Sequence, residues 1–234
     1  KNRRMSAFQG EIDLPPYPED TPGYDNKNGT YWPNLNPLVR QQLTLVEDWV
    51  NQENIDMNEL CTYTLDHRLT MLRYLRANQL DSRKAIAHMQ RNIIFRREKN
   101  VAQLSLLKPE NILGFKMTDL TMTYPHWHQG YDKTGRPVLY KMYGKFDASK
   151  VKKLCGGNYD NVMLYHLWEQ EATCNLCYQQ SIKLNKIIET STGIIDVKNM
   201  SMFQITRDFL NLVQQMAEID QQQYPETLGR LYII

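Results

Sequence analysis

Two short apolar runs near the end of the sequence, Ile194-Ile195-Asp196-Val197 and Leu231-Tyr232-Ile233-Ile234, flank a segment of helical periodicity, and this order constrains the fold more than any other feature. Between them Met202, Ile205, Phe209, Leu212, Val213 and Met216 fall on one helical face. Ser201-x-x-Gln204 is a capping-box signature that predicts the start of that helix, and Pro225 and Gly229 predict its end. Two buried strands joined through a helix form a parallel, right-handed βαβ unit. Because the sequence stops inside the second run, and lacks a starting Met, further chain is expected to cover the sheet.

Upstream, Thr121 to His128 is rich in Thr, Tyr and Trp and predicts a strand, as does Arg136 to Tyr143, where Val138, Tyr140 and Met142 alternate with Leu139, Lys141 and Tyr143. Asp132-Lys133-Thr134-Gly135 supplies the turn between them. A long helix is predicted from about Tyr159 to Leu184. Earlier still, Leu38, Leu43, Leu45, Val46, Trp49 and Val50 give an apolar helical stripe, and Leu69, Leu72 and Leu75 a second, with Arg68, Arg73 and Arg76 on other faces. Asp81 predicts the N-cap of a third helix, 82–98, that buries Ile86, Met89, Ile93 and Ile94. Six of the 10 prolines lie in the first 37 residues, which predicts an extended arm packed on the parent domain. The organisation expected is an arm over 1–37, a small helical bundle over 38–115 and an α/β unit over 116–234.

Hydrophobic content of 41% and charged content of 23% exclude disordered, collagen-like and coiled-coil classes. No apolar run approaches the roughly 18 residues that a membrane span needs, and the opening Lys-Asn-Arg-Arg shows no signal-peptide core. The 4 cysteines are too sparse for a disulfide scaffold, so a reducing, cytoplasmic setting is expected. Residues 66–157 hold 18 Lys or Arg against 7 Asp or Glu. Such a block suits anionic lipid or nucleic-acid phosphate, or is a solvated face neutralised by its acidic flanks.

Enzymatic motifs are weak. Asp132-Lys133-Thr134-Gly135 spells the start of a phosphorylated-aspartate motif, but Arg136 follows and membrane helices are absent, so a hairpin turn is the better reading. Cys174-x-x-Cys177 lies inside a predicted helix without a second pair, which disfavours zinc. His126 and His128 share a strand face with no nearby carboxylate in sequence, and are read as polar strand positions. Phosphate-loop, zinc-protease and nucleophile-elbow patterns are absent. Asn28-Gly29-Thr30 and Asn199-Met200-Ser201 match a glycosylation acceptor by chance frequency. Neither catalysis, a cofactor nor a metal is expected.

Met71-Leu72-Arg73-Tyr74-Leu75-Arg76-Ala77-Asn78 with Leu80-Asp81, then Tyr124-Pro125, Asp132 to Val138, Glu189-Thr190-Ser191, Ile195 to Lys198, and Tyr224-Pro225-Glu226 with Gly229 to Ile234 follow one another in an order that resembles the CRAL-TRIO lipid-binding family over about 65–234. The branch most similar is that of phosphatidylinositol/phosphatidylcholine transfer proteins. The resemblance implies an α/β fold in which a small N-terminal helical bundle precedes a lipid-binding domain whose mixed sheet floors an apolar pocket, and of which this chain carries the first half. It implies one bound lipid or other apolar ligand as cargo, exchange between membranes or presentation at them, and no nucleic-acid partner. Ser191 and Glu226 stand at headgroup positions of the family. Asn78-Gln79 replaces an Arg-Lys pair of phosphatidylinositol-binding members, Gly193 replaces a Thr, and Leu139 replaces a pocket Tyr, so phosphoinositide is not the expected cargo. Arg83, Lys84, Arg91, Arg96 and Arg97 are expected to face an anionic membrane. A different class of role, a recruiting or structural subunit tethered by the arm, is the alternative.

Overall fold

The computed structural model describes residues 13–19, 21 and 29–234. The rest of the proline-rich arm and Asn28 lie outside the described residues. Helix α1, Pro37–Gln52, starts at a capped proline: the Asn36 side chain accepts from the Val39 N–H, and Pro37 occupies the first turn, where a missing N–H costs nothing. Helix α2, His67–Ala77, is capped by Asp66, and α3, Ser82–Glu98, by Asp81 as its sequence predicts. These three helices bury one cluster that includes Val39, Val46, Leu72, Leu75 and Met89.

The arginines of α2 do not lie on an open face. Arg68 and Arg73 are buried, and the helix is covered on nearly every side. Acidic residues from elsewhere make this possible: Glu47 lies 3.5 Å from Arg68, and Glu189 lies 3.6 Å from Arg73 and 3.7 Å from Arg76. On α3, Met89 and Ile93 are buried, but Ile94 is exposed because its position faces away from α1 and α2.

Short helices α4, Val101–Leu104, α5, Pro109–Leu113, and α6, Met117–Thr123, lead to the sheet. The strand expected from Thr121 therefore begins later. Residues 117–123 are helical because Leu120, fully buried, anchors them in the second core, which outweighs the β preference of their threonines. Strands β1, His126–Tyr131, and β2, Pro137–Met142, form an antiparallel hairpin. Asp132 builds its turn, accepting from the Thr134 N–H and hydroxyl and from the Arg136 N–H at 2.8–3.0 Å, and from the Thr192 hydroxyl at 2.9 Å. Gly135 has a φ of +95°, and a Cβ there would stand 2.3 Å from Leu184.

Helices α7, Ala148–Leu154, and α8, Asp160–Leu184, precede strand β3, Ser191–Asp196; helix α9, Arg207–Gln223, then joins β3 to strand β4, Leu228–Ile233. The sheet runs β1-β2-β3-β4, with β3 parallel to both β2 and β4. The capping box at Ser201 and Gln204 forms, yet it opens a 3₁₀ turn, Met202–Gln204, and α9 begins after its own cap, Thr206. Met202 and Ile205 consequently stay outside the core that Phe209, Leu212 and Met216 join. Strand β4 is exposed rather than buried, because it is the edge of the described sheet.

A third cluster, Tyr17, Tyr31, Leu69 and Ile187, binds the described part of the arm across α2 and the approach to β3. The Pro16 carbonyl accepts from the Ile187 N–H at 2.9 Å, and the Tyr17 hydroxyl donates to Glu189.

Candidate binding cavity

Parity along the strands decides which side chains share a floor. The register aligns Leu139, Gly193 and Leu231 in one row across β2, β3 and β4, with Lys141 and Ile195 in the next row along. Gly193 leaves the middle of its row without a side chain. Above this floor, α9 presents Val213, Met216, Ala217 and Asp220, while Asn78 at the end of α2 and His88 and Arg91 from the middle of α3 contribute the facing side. Together they enclose a partly open cavity of about 860 Å³, within the range of small-molecule sites. Three further cavities among the described residues are much smaller, at about 10–60 Å³.

Of the positions singled out in the sequence, Ser191, Gly193, Leu139, Glu226 and Asn78 line this cavity, and Gln79 does not. Ser191 leads β3 and donates a long hydrogen bond of 3.4 Å to the Thr227 carbonyl. Glu226 holds a left-handed backbone with φ of +60°, and its half-exposed carboxylate lies 3.9 Å from Arg76. Asn78 has its amide engaged, donating to the Tyr74 carbonyl at 2.8 Å and to His88 Nδ1 at 3.0 Å. His88 in turn donates from Nε2 to the Gln222 carbonyl at 2.7 Å, so this rim ties the helical lobe to the end of α9. Burial holds the His88 pKa below its ordinary value, consistent with this neutral tautomer.

The basic residues of α3 divide. Arg83, Lys84 and Arg91 are exposed, Arg91 at the cavity rim. Arg97 is exposed and bound through both its Nε and an Nη to Glu59. Arg96 cannot meet a membrane: it is 7% exposed and pairs with Glu171 at 2.8 Å, an acid 75 residues away that no local pattern reveals.

One end of the cavity is built from charges that no sequence motif announces. Lys141, on the floor, lies 3.1 Å from Glu169 of α8, which also faces His126 at 3.4 Å and His166 at 3.5 Å. Asp220 accepts from His166 Nε2 at 2.7 Å and from the Gln170 amide at 2.6 Å, both on α8. Burial alone would raise the Glu169 carboxyl, but the Lys141 ammonium and the two imidazoles hold it well below the carboxylate range. Burial depresses His126, while His166 is raised because the charge and hydrogen bond of Asp220 outweigh its burial. His126 and His128 do acquire polar partners, but through the fold: His126 reaches the Tyr165 hydroxyl at 3.1 Å, and His128 the Thr173 hydroxyl at 2.9 Å. Among the described residues no cluster of His, Cys, Asp or Glu is arranged to hold a metal ion. Cys174 and Cys177 are free thiols on α8, with Cys177 raised to about 12 by burial.

Comparison with known proteins places these features. Residues 121–234 match the model of the CRAL/TRIO domain. The chain is 31% identical over 166 residues to the phosphatidylinositol/phosphatidylcholine transfer protein SFH9 of Arabidopsis thaliana, covering 70% of this chain and 28% of that protein. It is 30% identical over 184 residues to the transfer protein SFH4 of the same plant, covering 78% of this chain and 29% of SFH4. The chain thus spans under a third of the length of these relatives. Its fold is similar to the crystal structure of Sfh5, with a TM-score of 0.60 at 17% identity, over 85% of this chain and 70% of that one.

Proposed function

We propose, from the premise that residues 121–234 are a CRAL/TRIO domain, that the protein holds a single lipid or other apolar ligand in the cavity over β2, β3 and β4 and transfers or presents it between membranes. The observation that carries this reading is the shape and chemistry of that cavity. Leu139, Leu231, Val213, Met216 and Ala217 offer acyl chains an apolar lining, and Ser191, Glu226 and Arg91 add polar groups to that lining for a headgroup. The role is non-catalytic: binding and release need no nucleophile or general base. The protein would act in the cytoplasm and peripherally at membranes; no helix among the described residues is long and apolar enough to cross one.

Cargo preference follows from the rim. Asn78 spends its amide on the helix end and Gln79 lies outside the lining, so neither supplies the charge that offsets desolvation of a phosphoinositide headgroup. A neutral or zwitterionic lipid should be held at least as well. Native mass spectrometry of the full-length protein tests the reading. A co-purified phospholipid at one per chain is expected, and Ala217→Trp, which fills the cavity from the open side of α9, should remove it while circular dichroism stays unchanged. Absence of lipid from the native protein, together with no transfer between vesicles, would overturn the carrier role in favour of a recruiting subunit.

A further inference from the structure

Four apolar side chains crowd the entrance to α9 without cover: Phe203 is 93% exposed, Met202 82%, Leu210 55% and Ile205 39%. Single exposed hydrophobes are ordinary, but a contiguous group held outward marks an interaction site. Here the holding is explicit. The Ser201 N–H donates to the Gln204 side chain at 2.7 Å, Gln204 donates to the Gly144 carbonyl at 3.1 Å, and the Thr206 hydroxyl accepts from the Phe209 N–H at 3.1 Å. These bonds fix the turn between two elements and leave its apolar tip in water.

The surroundings of the tip are basic. Its tie to Gly144 brings Lys145 alongside, the Lys198 carbonyl packs on Gly144, and α7 packs on α9 through the Lys152–Asp208 pair at 3.0 Å. Of the acids nearby, Asp147 pairs with Lys150 at 3.1 Å and Asp208 with Lys152 at 3.0 Å, while Asp196 accepts from Tyr140 and from the Lys198 N–H, both at 2.8 Å, and keeps a single charge against the two lysines Lys145 and Lys198. Lys145, Lys153, Lys198 and Arg207 remain exposed without a salt bridge among the described residues.

We infer that the Met202–Ile205 turn is a membrane-docking wedge, which inserts Met202 and Phe203 into an anionic bilayer while Lys145, Lys153, Lys198 and Arg207 meet the phosphate layer. Charge complementarity selects the bilayer as occupant: an apolar tip ringed by flexible lysines matches acyl chains under anionic headgroups. The α3 surface has exposed cations in Arg83, Lys84 and Arg91 but only Ile94 as an exposed large apolar side chain, with Arg96 buried and Arg97 held by Glu59, so it offers no apolar tip. The wedge also has the right place. Val213, the first cavity-lining residue of α9, lies about 9 Å along the helix axis from Arg207, so docking would set the cavity beside the bilayer surface. The inference rests on the lipid-carrier reading and names the face through which it meets membranes.

Vesicle flotation of the full chain tests it, with phosphatidylcholine alone or mixed with phosphatidylserine, at low and high salt. Binding is expected only with phosphatidylserine and is weakened by salt. Met202→Ser with Phe203→Ser should lower partitioning by about tenfold or more, since two apolar side chains no longer leave water. Lys145→Glu, Lys153→Glu and Lys198→Glu should each cost about fivefold or more at low salt. The Phe203→Trp variant should show a blue shift of its indole emission on vesicles that the unsubstituted chain does not show. Arg83→Glu with Lys84→Glu should bind as wild type. Native mass spectrometry of the same variants separates the two readings, because a docking defect leaves cavity lipid in place. Loss of vesicle binding in the α3 variant but not the turn variants would overturn the inference. So would an unshifted emission from the Phe203→Trp variant on bound vesicles, or a role for Phe203 only in self-association.

Discussion

Glu169 is 4% exposed in its side chain and is the common neighbour of Lys141, His126 and His166. Removing its charge would strand the Lys141 ammonium in a buried site, so Glu169→Gln should cost about 3–5 kcal/mol of stability, measured by urea unfolding. The paired change Lys141→Met with Glu169→Gln should recover much of that loss, since no buried charge remains alone. The pH dependence has a definite sign. The folded Glu169 pKa lies below its unfolded value, so its contribution is present above about pH 4.5 and declines as the pH falls through the folded value. That acid-limb slope should be shallower in Glu169→Gln. None of this is legible in the sequence, because residues 141 and 169 meet only when a strand and a helix far apart in the chain pack together. The Asp132 turn is legible, since its bonds from Thr134 and Arg136 close within four residues and Asp and Gly carry the chemistry of a bend, whereas its bond from Thr192 is not.

At the scale of elements, caps are easier to read than boundaries. Asp81 starts α3 as its side-chain chemistry predicts, accepting from the Arg83 and Lys84 N–H groups. The Ser201 box is also real, yet it starts a 3₁₀ turn, because its signature specifies local bonds and not how far the helix continues. Thr206 supplies the cap that α9 uses, and Thr206→Ala should cost about 1 kcal/mol in thermal or urea unfolding. Helix α6 departs from its expected strand for the opposite reason: its threonines favour β structure locally, and the burial of Leu120 that overrides them is a tertiary event. The parallel order of β3 and β4 is legible from the helix between two apolar runs. The exposure of β4 is not, because apolar composition alone does not say which strand lies at an edge.

Across the whole molecule, two buried clusters lie side by side and the arm joins them. Tyr17 and Tyr31 meet edge to face at 5.1 Å, and the Arg76 guanidinium stacks 4.2 Å from the Tyr31 ring. Arg136, from the foot of β2, donates to the Thr21 hydroxyl at 3.1 Å. Proline content predicts an extended arm; its docking partners are hidden, because they lie in α2, β2 and the segment before β3. The link from Tyr17 to Glu189 spans 172 positions of sequence, whereas the contacts within α1, α2 and α3 are local. Closing so long a loop is entropically deferred until both ends are already ordered, so the clasp should form after the rate-limiting barrier. In stopped-flow kinetics, Tyr17→Leu should therefore leave the refolding limb of the chevron nearly unchanged and raise the unfolding rate, a φ-value close to zero. The arm would then be a device of kinetic persistence: it sets how long the assembled molecule lasts, and not how fast it is made.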